Sequence, residues 1–394
     1  MTTEERNKKA LALHAEHRGK YAIRPLVPVE TGEDLSLAYT PGVAAPCLEI
    51  AKDPGMAYTY TRKWNTVAVV TDGTAVLGLG DIGPLAGLPV MEGKAILFRQ
   101  FGGIDAIPIC LDTKDPEEII RTVKLLAPSF GGINLEDISA PRCFYIEERL
   151  KEELDIPVFH DDQHGTAIAV TAALINALKV TGREIGGIRA VINGAGSAGI
   201  ATGRLLKEAG VEDLVMVDRC GILCPGTEGM NPAQAETAAA TNPRRITGGL
   251  AEALRGADVF IGVSAPGLVN REMVAAMAKA PIVFAMANPD PEILPEEALA
   301  GGAAVVGTGR SDYPNQINNV MVFPGLFRGA LDARAGKISR EMMMAAAYAI
   351  AALEPEGGLG ADRILPRAFD PRLPAAVAAA VKEAARRGGA AGIQ

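Results

Sequence analysis

Two adjacent pairs of carboxylates are the first candidates for chemistry in this sequence. Glu136-Asp137 and Asp161-Asp162 each lie at the end of an apolar segment that predicts a strand. Carboxylates that converge on one cleft would repel one another strongly unless a divalent cation lay among them. An all-oxygen ligand set suits Mg²⁺ or Mn²⁺. The same residues could instead be surface acids and helix caps, and their spacing alone favours neither interpretation.

A lysine and a tyrosine could move protons. Lys94 lies in a glycine- and proline-rich segment, which we expect to be a loop leading into a helix that follows Gly93. A helix N-terminus and a nearby metal both disfavour an ammonium ion, so the pKa of Lys94 is expected to be lowered towards that of a general base. Tyr39, in the segment Leu37–Gly42, could donate a proton. Taken alone, each side chain is more typical of a structural role.

The segment GAGSAG fits the G-x-G-x-x-G pattern of dinucleotide-binding sites, and it lies between a predicted strand and a predicted helix. Gly194 would permit the tight turn, Gly196 the approach of backbone N–H groups to a pyrophosphate, and Gly199 the close packing of helix on strand. The helix N-terminus would favour the phosphates. Asp218 ends the next predicted strand. The candidate cofactor-binding residues are Gly194, Gly196, Ser197, Ala198, Gly199, Asp218 and Arg219.

The expected cofactor is NAD or NADP. Asp218 can accept hydrogen bonds from a ribose hydroxyl, which favours NAD. The neighbouring Arg219 could pair with the additional phosphate of NADP. Because Asp218 is acidic, we predict that NAD is the preferred cofactor.

The elements that must position these residues belong to an α/β protein. Between residues 188 and 307, five apolar segments separated by helices predict a Rossmann-like, doubly wound parallel sheet. In the first half, residues 66–71 predict a strand, and residues 75–79 are expected to return beside it as a hairpin. We place an N-terminal α/β domain at residues 1–160 and a dinucleotide-binding domain, with the C-terminal helices, at residues 161–394.

Composition excludes several classes of protein. Of 394 residues, 48% are apolar, which is too many for a disordered chain. The net charge of −8 disfavours nucleic acid and acidic membranes as partners. The expected partner is a small-molecule substrate. Five scattered cysteines without paired metal-binding spacing are typical of a reduced, cytoplasmic protein. The longest apolar run, residues 342–353, is too short for a membrane span.

Eight ordered motifs resemble the malic enzyme family in its short microbial form. They are LAYTPGVA (37–44), VVTDGTAVLGLGDIGP (69–84), EGKA (92–95), INLEDISAP (133–141), VFHDDQHGTA (158–167), GAGSAG (194–199), ANPDPE (287–292) and QINNVMVFPG (316–325). The resemblance implies an N-terminal malic-enzyme domain and a homodimer. It also implies oxidative decarboxylation of L-malate to pyruvate and CO2, with NAD(P)⁺ and Mg²⁺ or Mn²⁺.

The resemblance implies roles for individual residues as well. Glu136, Asp137 and Asp162 match the family's metal ligands, and Asp161 stands beside them in a supporting role. The other matches are Lys94 to the general base, Tyr39 to the general acid, and Asn288 and Asn319 to the asparagines that contact substrate. The base would take the C2 hydroxyl proton as hydride passes to the nicotinamide, and the acid would protonate enolpyruvate at C3.

Two positions depart from the larger animal-type members of the family. Ala75 stands where those enzymes have an arginine that grips a malate carboxylate, so no residue is assigned as the carboxylate clamp. His164 stands where they have glutamine, and it is assigned no catalytic role.

Two other functions fit part of the pattern. An amino-acid dehydrogenase of the glutamate or leucine type also pairs a catalytic lysine with a C-terminal dinucleotide domain. It needs no metal, and the carboxylate set therefore argues against it. A non-catalytic nucleotide-binding sensor would keep the glycine-rich turn but would not need Lys94 or Tyr39.

Overall fold

Two β-sheets organise the computed structural model, which describes residues 3–76 and 78–392. The strands of the first sheet are β1 (Thr66–Thr71), β2 (Asp105–Cys110), β3 (Gly132–Leu135) and β4 (Val158–His160). They lie in the order β2-β1-β3-β4, and every pair is parallel. All four carboxyl ends therefore meet at one edge.

The predicted hairpin after β1 is wrong. Val67 pairs with Ala106 on one side and with Gly132 on the other, so both edges of β1 are occupied by parallel strands. The segment that follows contributes an isolated bridge between Val76 and Gly80. A strand buried on both faces reads as a continuous apolar run, and such a run does not reveal the direction of its neighbours.

The second sheet is the predicted doubly wound sheet. Its strands are β5 (Arg189–Asn193), β6 (Asp213–Asp218), β7 (Gly221–Ile222), β8 (Val259–Gly262), β9 (Ile282–Ala285) and β10 (Val305–Thr308). The order is β10-β9-β8-β5-β6-β7, and β7 alone among these strands is antiparallel to its neighbour. The strand order reverses between β5 and β8, which is where open α/β sheets bind ligands.

Helices surround both sheets. Those of the described residues are α1 (Thr3–His17), α2 (Gly32–Ala38), α3 (Ala44–Lys52), α4 (Ala57–Tyr60), α5 (Pro84–Gly102), α6 (Pro116–Leu126), α7 (Arg142–Glu153), α8 (Asp161–Thr181), α9 (Ser197–Glu208), α10 (Pro232–Ala240), α11 (Leu250–Leu254), α12 (Arg271–Ala275), α13 (Pro295–Ala300), α14 (Phe323–Asp332), α15 (Arg340–Ala352) and α16 (Arg372–Arg387). None of these helices combines the length and the apolar character needed to cross a bilayer.

Helix α5 begins earlier than predicted, and helix α8 follows β4 without a loop. Helix α5 starts at Pro84 rather than after Gly93, since proline is well suited to the first helical position. Helix α8 starts at Asp161, and its two aspartates occupy the first turn, where the helix dipole favours negative charge. Because α5 begins at Pro84, Lys94 lies inside this helix.

One hydrophobic core joins the two halves of the chain. It contains Val67 of β1 and Ile192 of β5, together with the buried face of α8 between them. Helix α14 returns to the first half, because the ring of Phe323 packs 4.7 Å from that of Phe98 on α5. The five cysteines are free thiols, as expected.

Candidate active site

Three carboxylates converge at the carboxyl edge of the first sheet. Glu136 and Asp137 follow β3 directly, and Asp162 lies in the first turn of α8. One oxygen atom of each lies within 4.8 Å of those of the other two. These are the three residues that the sequence motifs single out as metal ligands.

The backbone around Asp137 brings the two segments together. Asp137 has a φ of 55°, a left-handed conformation that bends the chain immediately after the strand. Its backbone N–H donates to Oδ2 of Asp162 at 2.8 Å. The amide of Asn134, buried within β3, donates to Oε2 of Glu136 at 2.8 Å and holds that carboxylate in place.

The electrostatics of this cluster fit a divalent cation. Burial is the largest cause that raises the pKa of Glu136, Asp137 and Asp162, and repulsion among the carboxylates adds to it. Oδ2 of Asp137 is buried without a hydrogen-bond donor. A hard cation would give this oxygen the positive partner that the chain does not provide, and the donor set contains oxygen alone.

Lys94 lies beside the three acids. Its Nζ is 2.6 Å from Oδ2 of Asp161 and 2.8 Å from Oε1 of Glu136, and the residue is only 7% exposed. It also lies 4.2 Å from the centre of the Phe323 ring. The ammonium group is therefore enclosed by two carboxylates and an aromatic face.

The expected lowering of the Lys94 pKa is wrong for the protein without a bound cation. Burial by itself would lower this pKa, but the charges of Asp161 and Glu136 outweigh burial and raise it. The helix N-terminus does not affect the pKa of Lys94, because this residue lies ten residues beyond Pro84, where α5 begins. The prediction took a glycine- and proline-rich helix for a loop.

Asp161 lies beside the lysine and close to Asn319. Its Oδ1 is buried and has no hydrogen-bond donor. One turn later on α8, a Cβ at Gly165 would lie 3.0 Å from the Cβ of Asn319 and would collide with the Asp161 side chain. Glycine at this position lets Asn319 approach Asp161. The glycine inside a helix was a usable sequence signal for this contact. In the same way, the polar Asn134 inside an apolar strand was a signal for its hydrogen bond to Glu136.

The two asparagines of the sequence motifs lie on different elements. Asn319 opens the 3₁₀ turn Asn319–Met321, just before α14. Asn288 follows β9, and its Nδ2 donates weakly to the carbonyl oxygen of Met286 at 3.3 Å. The loop of Asn288 faces the first half of the chain, because a Cβ at Gly78 would lie 3.6 Å from the Asn288 carbonyl oxygen.

Tyr39 is not brought to this cluster within one chain. It caps the C-terminal end of α2 and is 66% exposed. Among the described contacts of Lys94 are Asp161, Glu136 and the Phe323 ring, and the Tyr39 phenol is not one of them.

The glycine-rich turn lies at the carboxyl end of β5. Gly194 has a φ of 110°, and a Cβ there would lie 2.7 Å from the carbonyl oxygen of Val263. Gly199 packs directly on the carbonyl of Gly194 and leaves no room for a side chain. Gly196 caps α9 and has open space beside it, so its backbone is accessible to a phosphate. Ser197 and Ala198 form the first turn of α9.

Asp218 is held at the end of β6, next to this turn. Its Oδ2 accepts hydrogen bonds from the backbone N–H of Ala195 at 2.9 Å and from Nε2 of Gln234 at 3.0 Å. The backbone N–H of Arg219 donates to Oδ1 at 2.6 Å, while the Arg219 side chain is exposed. Asp218 therefore braces the glycine-rich turn through its contact with Ala195.

Comparison with known proteins agrees with this arrangement. The family model "Malic enzyme, N-terminal domain" matches residues 18–151, and "Malic enzyme, NAD binding domain" matches residues 163–386. The chain belongs to the malic enzyme family. A malic enzyme catalyses oxidative decarboxylation of malate with reduction of NAD(P)⁺, and this activity applies to the chain. Family membership decides against the amino-acid dehydrogenase and the nucleotide sensor.

Individual malic enzymes are similar over nearly the whole chain. The bifunctional malic/malolactic enzyme of Bacillus subtilis is 58% identical over 386 residues, which cover 98% of this chain and 94% of that protein. The NADP-dependent malic enzyme of Escherichia coli is 50% identical over 95% of this chain, which spans 51% of that longer protein. The NAD-dependent malic enzyme of Thermotoga maritima superposes with a TM-score of 0.92 at 51% identity, covering 95% of this chain and 98% of that one.

Proposed function

We propose that Glu136, Asp137 and Asp162 hold a Mg²⁺ or Mn²⁺ ion. The observation that carries this proposal is the unpartnered, buried Oδ2 of Asp137 within a set of three carboxylates whose oxygens lie within 4.8 Å of one another. When bound, the ion would supply Lewis-acid polarisation of malate oxygens and offset the charge of the acids.

We propose that Lys94 is the base that accepts the proton of the C2 hydroxyl. Its amine is fixed by Asp161 and Glu136, so the group is aligned before substrate arrives. Oδ2 of Asp161 accepts a hydrogen bond from Nζ at 2.6 Å, and it is the atom that would take a proton from the lysine and leave the amine neutral. Asn319, which lies close to Asp161, and Asn288, in the loop after β9, are proposed to orient malate through hydrogen bonds from their amides.

We propose that the protein is a homodimer and that Tyr39 reaches an active site only in the dimer. Helices α2, α3 and α4 contain no buried residue. Large exposed apolar side chains in this N-terminal segment include Leu11, Ile23, Leu26, Leu37 and Leu48. A second copy of the chain would cover this surface and could place the Tyr39 phenol against a site.

A single charge change tests the dimer. Leu37→Asp should give a monomer by light scattering and lower the activity, because a carboxylate cannot be buried in an apolar interface. Leu125→Asp is the matched control, since Leu125 is equally exposed on α6, outside the N-terminal segment. A Leu37→Asp protein that stays dimeric would contradict the proposed surface.

We propose that NAD is preferred over NADP and that the protein is cytoplasmic. The negative charge of Asp218 would repel a 2′-phosphate, and its neighbour Gln234 is neutral. The relatives include both NAD- and NADP-dependent enzymes. The preference is tested by kcat/KM for each cofactor, and Asp218→Asn should lower the NAD:NADP ratio about tenfold, the effect of about 1.4 kcal/mol of lost discrimination.

The decisive experiment is an assay of NAD(P)H formation from L-malate. We expect turnover with NAD and Mn²⁺, and none after EDTA treatment. Activity that survives complete chelation would refute the metal proposal while leaving the dehydrogenase reaction itself intact.

A further inference from the structure

A buried carboxylate in the loop after β9 has no part in the chemistry described above. Glu292 is 0% exposed and, within the described residues, has no ion-pair partner. Its two oxygens are used by backbone groups instead. Oε1 accepts from the N–H of Ser264 at 3.0 Å, and Oε2 accepts from the N–H of Ala287 at 3.0 Å. One side chain thus joins the loops that follow β8 and β9.

Each of these loops adjoins residues that are proposed to bind one of the two reactants. Oγ of Ser264 accepts from Nδ2 of Asn193 at 2.8 Å, and Asn193 immediately precedes the glycine-rich turn. The carbonyl oxygen of Val263 lies against Gly194 of that turn. On the other side, Ala287 is followed directly by Asn288. The carboxylate of Glu292 therefore lies between the dinucleotide-binding turn and the proposed malate-binding loop.

The neighbouring strand is built to admit this side chain. A Cβ at Gly262 would lie 2.5 Å from Oε1 and 2.8 Å from Cγ of Glu292. Any larger residue at the end of β8 would displace the carboxylate. Gly262 and Glu292 thus form one unit, although they are thirty positions apart in the chain.

We propose that Glu292 is a positioning residue for hydride transfer. Its carboxylate sets the spacing between the dinucleotide-binding turn and the loop of Asn288. Hydride transfer requires its donor and acceptor in near contact, and a misplacement of about 1 Å can lower the rate about 100-fold. A carboxylate is suited to this task because it can accept from two separate N–H groups without donating to either. The proposal rests on the assignment of Asn288 to malate.

The first test is Glu292→Gln. The glutamine side chain has an NH₂ group in place of one carboxylate oxygen, and this group cannot accept a hydrogen bond from a backbone N–H. One of the two loops therefore loses its hydrogen bond to residue 292. We expect kcat to fall about 10- to 100-fold and the primary isotope effect with malate deuterated at C2 to rise. The dissociation constant of NADH, measured by fluorescence, should change far less. Glu296→Gln, on the exposed side of α13, is the matched control and should leave all three quantities unchanged.

A double-mutant cycle tests the geometry. Gly262→Ala should reproduce the kinetic effect of Glu292→Gln, because the added methyl group displaces the carboxylate. In a Glu292→Ala background the same methyl group meets no carboxylate, and Gly262→Ala should then add little. Fully additive effects would overturn the proposed unit.

The outcomes separate this proposal from the one on which it rests. If Glu292→Gln is folded and its kcat and isotope effect equal those of the parent, the positioning role is wrong. If melting temperature and active fraction fall while the isotope effect stays constant, Glu292 has a structural role only and the proposal is again overturned. Asn288→Ala tests the other assignment: an unchanged KM for malate would remove Asn288 from the substrate site without affecting the result for Glu292.

Discussion

The base and the acid proposed for this malic enzyme occupy opposite environments. Lys94 is 7% exposed inside a helix that packs on the core, and two carboxylates hold its amine. Tyr39 is 66% exposed on a segment whose helices bury nothing. One chain therefore brings together the residues of the proposed metal and base end, while the proposed acid end depends on the second copy that would cover the N-terminal segment.

This contrast shows that two residues proposed for one reaction can be positioned by different interactions, one set within a chain and the other between chains. The Lys94 end is fixed by burial and by charge pairs inside a single chain, where they are strong. The Tyr39 end would be fixed by apolar association between chains, which depends on protein concentration. Changes at the two ends should consequently differ in their effect on stability as well as on rate.

Metal removal should have the largest effect and should act on the buried end alone. EDTA should abolish malate oxidation, and Mn²⁺ should restore it. Asp162→Asn should weaken Mn²⁺ binding about 10- to 100-fold or more, because it removes a charged ligand. Calorimetric titration measures the affinity. Asp81→Asn, an exposed aspartate paired with Lys114, is the control and should bind Mn²⁺ normally.

Replacement of the base should affect rate and stability together. Lys94→Ala should lower kcat/KM for malate about 10²- to 10⁴-fold. It should also destabilise the metal-free protein by about 3–5 kcal/mol, because Asp161 and Glu136 lose their buried counter-ion. Steady-state kinetics and urea unfolding measure the two effects. Lys114→Ala, which removes an exposed ion pair, should change neither by much.

Replacement of the acid should affect rate without affecting stability. Tyr39→Phe should slow protonation of enolpyruvate about 100-fold, which NMR can follow as exchange of the pyruvate methyl protons in ²H₂O. The free energy of unfolding should change by less than about 0.5 kcal/mol, because the side chain is exposed. Tyr60→Phe, on α4 of the same segment, should exchange at the parental rate. Normal exchange in Tyr39→Phe would exclude the tyrosine as the acid.

The smallest expected effect is a pH dependence of the metal-free protein. Burial raises the pKa of Asp161 to about 7, against attraction by Lys94. An acid whose pKa is raised by folding binds more protons in the folded state, so metal-free stability should fall as pH rises from about 4 to about 7. Lys94, whose pKa is also raised, stays charged throughout this range. Melting curves in EDTA between pH 4 and pH 7 should show the decline, and an unchanged or rising melting temperature would contradict it.

Local patterns were sufficient to predict most of the fold and the composition of the site. The strands of both sheets, the glycine-rich turn and the two carboxylate pairs are each coded by a short run of residues. The family resemblance singles out Glu136, Asp137 and Asp162, and in the structure each follows or begins an element at the same sheet edge. The direction of the neighbours of β1 was not predictable, because continuous apolar runs carry no such signal.

The sequence by itself determined which groups are available: three acids, a lysine, two asparagines and a dinucleotide turn, in an α/β chain. Only the tertiary structure decided their state. Lys94 and Asp161 are 67 positions apart, and their contact reverses the expected shift of the lysine pKa. Glu292 reaches Ser264 across 28 positions. Charge and packing act between residues that are close in space. The pKa of Lys94, the hydrogen bonds of the buried Glu292 and the exposure of Tyr39 are therefore decided only when distant segments of the chain come together.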